Sequence, residues 1–272
     1  MNRIENFYSA EAYREWNRLQ WHRTEFAITM RCFDRYFNPS PLSILDVGGG
    51  PGRYAIALTQ LGHCVTLLDI APANVALALH KAEEQGVALR SAMVGTATDL
   101  TVFDDKSYDV VLLMGPLYHL IAEDDRKRAI LEALRILKPG GLICASFINK
   151  FSPLRYAAFH DPATLTEHYR FFDEMIEHGT LQEPAGFTDI HVMHPSDISQ
   201  LMEGFGVATL TLINCEGLVG GMDDRVNEAQ GHLWEKWLDL NWTYCTDPTL
   251  LGTADHLLYI GKKAGDELQD DR

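Results

Sequence analysis

The sequence predicts an α/β protein, a mostly parallel sheet with helices on both faces. Three observations predict it. Short apolar runs alternate with helix-length stretches from residue 44 to residue 148, and such alternation calls for parallel strands joined by crossover helices. The run Ile44-Leu45-Asp46-Val47 leads directly into Gly48-Gly49-Gly50-Pro51-Gly52 and then into a helical stretch. A second acid, Asp69, closes the next apolar run, Val65-Thr66-Leu67-Leu68. Right-handed crossovers place the C-terminal ends of parallel strands on one edge, where ligands bind at the switch point of strand order.

Along the chain, residues 9–37 read as one helix, with Ser9 as N-cap and Glu11 in the first turn. Leu19, Phe26, Met30, Phe33 and Phe37 form one apolar stripe on it. Strands are expected at 44–48, 64–69, 89–94, 109–114 and 141–148, and helices at 53–61, 73–85 and 124–137. Residues 149–204 interrupt the alternation, with a helix over 163–177, a loop holding Pro184, Gly186 and Pro195, and a helix that Ser196 caps. Residues 207–214 and 256–262 read as the last two strands, with a helix over 223–244 between them. The domain plan is a helical cap (1–40), a core (41–148), a lid-like insert (149–204), the rest of the core (205–264) and a polar, acidic tail (265–272).

A chain of 272 residues, 46% of them apolar, can bury the core of one elaborated domain. The net charge of −15 and the lack of a Lys/Arg-rich run argue against nucleic acid as partner. That charge suits a small cationic or amine substrate and equally suits solubility. Cys32, Cys64, Cys144, Cys215 and Cys245 show no C-x-x-C spacing, and an odd count in a long chain points to a reducing, cytoplasmic location. The charged N-terminus does not read as a signal peptide. The longest apolar run, 110–122, is interrupted by Gly115, Pro116 and His119 and is too short to span a bilayer, so no membrane association is expected. His191-x-x-His194 lacks a third ligand at metal-site spacing, so no metal is expected.

The glycine loop suits a nucleoside cofactor. Glycines let the backbone approach a ligand, and the following helix offers free N–H groups. A carboxylate such as Asp69 can accept hydrogen bonds from both ribose hydroxyls. A dinucleotide loop wants G-x-G-x-x-G. Counted from Gly48 the third position falls on Arg53, but counted from Gly50 it falls on Ala55, a permitted variant. Arg53, a cation at a helix N-terminus, either pairs with a carboxylate or points into water.

Asp46-x-Gly48-x-Gly50-x-Gly52 resembles motif I of the class I S-adenosylmethionine-dependent methyltransferases. Asp69, 23 residues on, is similar to the family's ribose-binding acid, and Asp99-Leu100 to the acid facing the adenine amino group. The run from Tyr108 to Met114 resembles the fourth strand. Leu134-Arg135-Ile136-Leu137-Lys138-Pro139-Gly140-Gly141 resembles the helix, turn and start of the fifth. Gly115-Pro116-Leu117-Tyr118-His119-Leu120 resembles a segment of bacterial small-molecule methyltransferases, and so does the pattern Glu15-Trp16-x-Arg18-Leu19.

The resemblance implies a Rossmann-like methyltransferase fold with a seven-stranded sheet, a C-terminal antiparallel hairpin and a lid after the fifth strand. It implies S-adenosyl-L-methionine as cofactor, held by Asp46, Gly48, Gly50, Gly52, Asp69, Ile70, Asp99, Leu100 and Met114. Arg18, His22, Glu25 and Thr29, spaced i, i+4, i+7, i+11, form a polar row on the N-terminal helix. Arg18 is the candidate for the cofactor carboxylate, since a guanidinium binds it bidentately. Tyr118, His119 and His22 are the candidate catalytic groups, the histidines as bases for a hydroxyl acceptor. The expected reaction is methyl transfer to a nitrogen or oxygen of a small molecule. The alternatives are a nicotinamide-dependent oxidoreductase and a non-catalytic binder of the same cofactor. The tryptophans of 234–242 serve either the core or the interface of a homodimer.

Overall fold

The structure, a computed structural model, describes residues 3–37, 41–182 and 188–265. The loop residues Pro184 and Gly186 and the tail from 266 onward lie outside the described residues.

Among the described residues nine strands form: β1 (Ser43–Val47), β2 (Cys64–Asp69), β3 (Ser91–Val94), β4 (Tyr108–Leu113), β5 (Leu137–Asn149), β6 (Thr180–Leu181), β7 (Ile190–Met193), β8 (Val207–Asn214) and β9 (His256–Lys263). All belong to one sheet, in which seven run in the order β3-β2-β1-β4-β5-β9-β8, and β7, with β6 antiparallel beside it, joins the far end of β5. β9 is antiparallel to both neighbours and the other pairings among those seven are parallel. This is the expected fold, and the antiparallel β9 inside the sheet departs from the order 3-2-1-4-5-6 of dinucleotide-binding proteins. Val47 lies level with Leu68 on one side and Leu113 on the other. The loops after β1, β2 and β4 therefore open at one height, which is what brings the site together.

Period-2 alternation divides the core between the two faces. Ile44, Leu67 and Leu112 pack with Phe33, Leu58 and Leu238 on one side. Leu45, Leu68 and Leu113 pack with Ile130, Ala133, Ile198 and Met202 on the other. Trp234 is buried in the first cluster, and Trp237 and Trp242 pack against it. The tryptophans thus serve the core, which removes the reason the sequence offered for a dimer interface there. Among the described residues no helix is long and apolar enough to cross a membrane.

The expected helix over 9–37 is instead three: α1 (Arg3–Ala10), α2 (Ala12–Trp21) and α3 (Arg23–Tyr36). Ser9 lies inside α1, and the chain turns at His22 (φ −95°, ψ 59°). The physical reason is that the two long pieces dock on different partners. Arg23 donates to the carbonyls of Asn227 and Ala229 and stacks 4.0 Å over Trp234, while Thr24 bonds the Asn227 side chain. Trp16, on α2, packs instead with Ile56 and Leu77. One straight helix could not meet both surfaces.

The helices of the core are α4 (Arg53–Gln60), α5 (Pro72–Glu84), α6 (Pro116–His119) and α7 (Glu123–Ile136). In the insert, the helix expected at 163–177 is broken at His168 into 164–167 and 169–178, and a further helix covers 152–160. β7 pairs with the last residues of β5, beyond the end of β4. The helix Pro195–Glu203 is capped by the His194 ring, which accepts the Ser196 N–H at 3.2 Å, rather than by Ser196. Its Ile198 and Met202 are fully buried in the main core, so this stretch is a core crossover and not part of a lid. His191 lies in β7, and His194 Nδ1 bonds the Ser196 hydroxyl at 2.7 Å.

Candidate active site

A cleft of about 1060 Å³, its open mouth included, lies over the C-terminal ends of β1, β2 and β4. The glycine loop forms its floor. Gly48 and Gly50 have φ of +70° and +55°, a region that residues with a Cβ avoid. A Cβ on Gly48 would come within 2.6 Å of the Pro116 ring, so the β1 loop and the β4 loop are in contact only because that atom is missing. Gly52 does not line the cleft. It precedes α4, and a Cβ there would meet that of Ala78 at 3.0 Å, so its role is to let α4 and α5 approach.

Asp46 is 1% exposed, and neither carboxylate oxygen has a hydrogen-bond partner among the described residues. Burial, with the Asp69 charge adding to it, pushes its pKa up to about 7. A buried acceptor left unpaired is costly, so this carboxylate calls for a donor that enters the cleft. Asp69 is braced by the protein: it accepts from the N–H of Gly50 (2.8 Å) and Ala71 (2.9 Å) and from Asn74 Nδ2 (3.1 Å). These contacts fix the glycine loop onto the end of β2. Burial raises its pKa and the three hydrogen bonds oppose the rise. Ile70 and Met114 also line the cleft.

Asp99 and Leu100 do not line it. Asp99 is exposed and accepts from the Thr101 hydroxyl (2.6 Å) and N–H, closing a turn. Leu100 is buried in the core and its N–H is held by Glu132 at 2.9 Å. The stretch Gly95-Thr96-Ala97, just after β3, occupies the rim instead. β3 ends at Val94 and the chain then turns, the Asp99 N–H bonding the Thr96 carbonyl at 3.2 Å, so the acid is carried past the rim.

α1 and α2 roof the cleft with Ile4, Tyr8, Glu15, Arg18 and Leu19. Arg18 is not a free cation. Its Nε bonds Glu15 at 3.0 Å, and its two terminal nitrogens hold Glu25 at 2.7 and 3.0 Å. Behind it, His256 Nδ1 lies 3.1 Å from Glu216 and 3.7 Å from Glu25. Burial pushes the Glu25 carboxyl up, but Arg18 and His256 outweigh it and hold it at about 2. Burial pulls the His256 imidazole down, but the two carboxylates outweigh it and raise it to about 9. Glu25, Glu216 and His256 have a metal-like spacing, yet Arg18 and a protonated His256 already balance the two acids. Glu216 also accepts the N–H of Asp255 and His256, which ties the loop after β8 to the start of β9.

His22 lies outside the cleft, at the break between α2 and α3, 4.0 Å from Asp223. It is the break itself that rotates His22 off the row it would share with Arg18 on a continuous helix. Contact with Asp223 raises its pKa. Arg53 does line the cleft, but among the described residues it pairs with no carboxylate, nor does it face water freely: its guanidinium lies 4.7 Å from the Trp16 ring centre and 5.3 Å from that of Phe26.

Past β4, Pro116 starts the single-turn α6, and Arg126 clamps its exit by donating to the carbonyls of Leu120 and Ile121, both at 2.7 Å. Tyr118 and His119 face the cleft from this turn. The Tyr118 hydroxyl donates to the Met114 carbonyl at 3.4 Å. His119 Nε2 lies 2.6 Å from the hydroxyl of Tyr8, on α1. Burial pulls the His119 pKa down to about 4, so at neutral pH the ring is uncharged.

Tyr8, Glu15 and Asn74 are lining residues that the sequence reading did not select. Asn74 follows Asp69 by five residues in the first turn of α5, and Glu15 precedes Arg18 by one helical turn, so both had a local signal. Tyr8 had none. Among the described residues of 149–204, none lines the cleft. The insert reaches it indirectly, through packing on Tyr118 and through the Asp189 backbone at His119.

Residues 45–145 match a protein family described as "Methyltransferase domain". Ubiquinone biosynthesis O-methyltransferase of Maricaulis maris is 34% identical over 111 residues, 41% of this chain and 42% of that protein. The protein of the same name from Methylobacterium nodulans is 35% identical over 109 residues, 40% of this chain and 42% of that one. The similarity to these curated relatives thus spans about two-fifths of their length. A solved S-adenosylmethionine-dependent methyltransferase from Methanosarcina mazei superposes with a TM-score of 0.59 at 18% identity, over 86% of this chain and 98% of that one. The protein has the fold of that S-adenosylmethionine-dependent methyltransferase, and its residues 45–145 match the methyltransferase family model.

Proposed function

We propose that this protein transfers the methyl group of S-adenosyl-L-methionine to a hydroxyl or amine of a small molecule. The carrying observation is the cradle at the end of β1. Two unpartnered, buried oxygens of Asp46 face the same cleft as the glycine loop that Asp69 braces. The cofactor's ammonium would supply the donor that Asp46 lacks, and its ribose would sit beside Asp69. Arg18 lines the same cleft; Glu15 and Glu25 already balance its charge and hold the guanidinium in place, and the N–H groups they leave over are available to the cofactor carboxylate. When bound, the cofactor supplies an electrophilic methyl on a sulfonium, a good leaving group.

The protein's own contribution is proximity, orientation and exclusion of water. α1 and α2 close over the cleft, and Tyr8, Tyr54 and Tyr118 give it an aromatic wall. A roofed cleft with that wall fits a small acceptor, and the charge of −15 opposes a polyanionic one. The fold argues against the oxidoreductase alternative through the antiparallel β9.

Calorimetric titration of S-adenosylhomocysteine into wild type and Gly50→Val tests the reading. Binding by wild type and its loss in the variant is the expected result. Equal binding by both, or a thermal shift with NADH and none with S-adenosylhomocysteine, would overturn it. At about 100 times Kd the ligand should stabilise the fold by about 2.7 kcal/mol.

A further inference from the structure

We propose that Glu15, in the roof of the cleft, is a second acceptor for the ribose of the cofactor, taking one hydroxyl of the vicinal diol while Asp69 takes the other. The inference rests on the methyl-transfer reading above and adds a specificity-determining residue from α2 to its nucleoside site. Hydrogen-bond accounting carries it. A carboxylate offers about four lone-pair sites on its two oxygens. On Asp69, Oδ1 already accepts from the Ala71 N–H at 2.9 Å and from Asn74 Nδ2 at 3.1 Å, and Oδ2 accepts from the Gly50 N–H at 2.8 Å. One site is left, on Oδ2. It suffices for one ribose hydroxyl, so the expectation that Asp69 accepts from both exceeds what its partners leave over.

The second hydroxyl enters under a roof, where a donor without an acceptor is costly, and the cleft has to supply that acceptor beside Asp69. Glu15 stands there. Its Cγ lies 3.8 Å from where a Cβ on Gly50 would sit, and Asn74 Nδ2 lies 4.0 Å from the same point. Gly50 and Asn74 both donate to Asp69, so Glu15 comes down on the groups that brace that acid. Burial raises the Asp69 pKa and the Glu15 charge adds to the rise, which agrees with this placement. Arg18 fixes the orientation of Glu15. Its Nε donates to Oε1 at 3.0 Å, and Oε2 has no hydrogen-bond partner among the described residues. The guanidinium is itself held by Glu25, so Glu15 is presented on a rigid support. Asn74 Oδ1 also lacks a partner, but Asn74 is 1% exposed and the Glu15 side chain 26%, so Glu15 is the accessible acceptor. The diol then bridges floor and roof, one hydroxyl on the end of β2 and the other on α2. Two carboxylates around it also repel a phosphorylated ribose.

The test is calorimetric titration of the full chain, wild type and Glu15→Ala, with S-adenosylhomocysteine and its 2′-deoxy and 3′-deoxy forms as probes. In the wild type each deoxy form should bind about tenfold more weakly than the parent, since each loses one charge-assisted bond. Glu15→Ala should weaken the parent about tenfold. It should leave one deoxy form, the one lacking the hydroxyl that Glu15 takes, within about twofold of its wild-type affinity. A loss of equal size for all three ligands would overturn the proposal, because Glu15 would then act only by holding Arg18. Unchanged affinity for the parent would overturn it too and assign the hydroxyl to Asn74 Oδ1. Should Glu15→Ala not fold, Glu15→Gln keeps a partner for Arg18, and the same selective loss, about threefold, is expected there. Failure of wild type to bind S-adenosylhomocysteine would instead reject the methyl-transfer reading itself.

Discussion

Arg18 grips Glu25 through two hydrogen bonds, 2.7 and 3.0 Å long, across the break that separates α2 from α3. The pair joins the roof of the cleft to the buried cluster of Glu216 and His256, so the cofactor-facing surface and the packing of β8 on β9 share one set of charges.

Removing one partner of a buried ion pair strands the other. Arg18→Ala should lower the unfolding free energy by about 3–5 kcal/mol. Arg18→Lys should recover part of it, since an ammonium cannot make the bidentate contact. Urea denaturation of the three proteins would show this; an unchanged midpoint in Arg18→Ala would mean that water replaces the guanidinium without cost.

The same cluster sets a pH window. Glu25 is held at about 2 in the fold against an ordinary value of 4.5, so its contribution is present above 4.5 and is lost as pH falls toward 2. His256 is raised to about 9 from 6.5, so its contribution is complete below 6.5 and is lost as pH rises through 9. Glu216, raised by burial, works against stability once ionised, which its bond to His256 offsets. Between pH 4.5 and 6.5 both favourable contributions coincide, and His256→Gln should flatten the alkaline limb in melts recorded from pH 5 to 10.

Asp46 carries the opposite sign. Its folded pKa of about 7 exceeds the ordinary 3.8, so ionisation costs stability progressively from pH 3.8 to 7 and in full above that. Asp46→Asn should stabilise the ligand-free protein at pH 8 by about 2–4 kcal/mol, while weakening S-adenosylhomocysteine binding at least about tenfold. Opposite movement of melting temperature and affinity is the signature to look for. A loss of both would show Asp46 to be a structural residue.

Gly48 and Gly50 separate strain from contact. Both have positive φ, but only at Gly48 would a Cβ strike Pro116, at 2.6 Å; at Gly50 the nearest atom is 3.8 Å away. Gly50→Ala should cost about 1–2 kcal/mol for the backbone conformation alone. Gly48→Ala should cost a further ~1–3 kcal/mol for the displaced ring. Equal midpoints in chemical denaturation would mean that the β4 loop yields freely.

Asp99 touches only its own turn. Asp99→Ala should leave S-adenosylhomocysteine affinity within about twofold of wild type, because the side chain is exposed and, among the described residues, bonded only to Thr101. A larger loss by calorimetry would place the adenine farther out than the Gly95-Thr96-Ala97 rim.

The strands and their common edge were legible in the chain itself. A side-chain period of two and a glycine loop between strand and helix are local properties, and they place Asp46, Gly48, Asp69 and Met114 at strand ends whatever the rest of the molecule does. Helix breaks were less legible. The stripe from Leu19 to Phe37 keeps its spacing through His22, and only the docking of Arg23 on Trp234 and of Trp16 against α5 bends it there. Only the tertiary structure decided who meets whom. Tyr8 reaches His119 across 111 residues, Glu25 and Glu216 share His256, and Arg53 finds aromatic rings in place of a carboxylate. Those contacts follow from how separate elements stack. A local pattern can determine where a side chain points from its own strand or helix, but the partner it finds depends on packing summed over the whole fold.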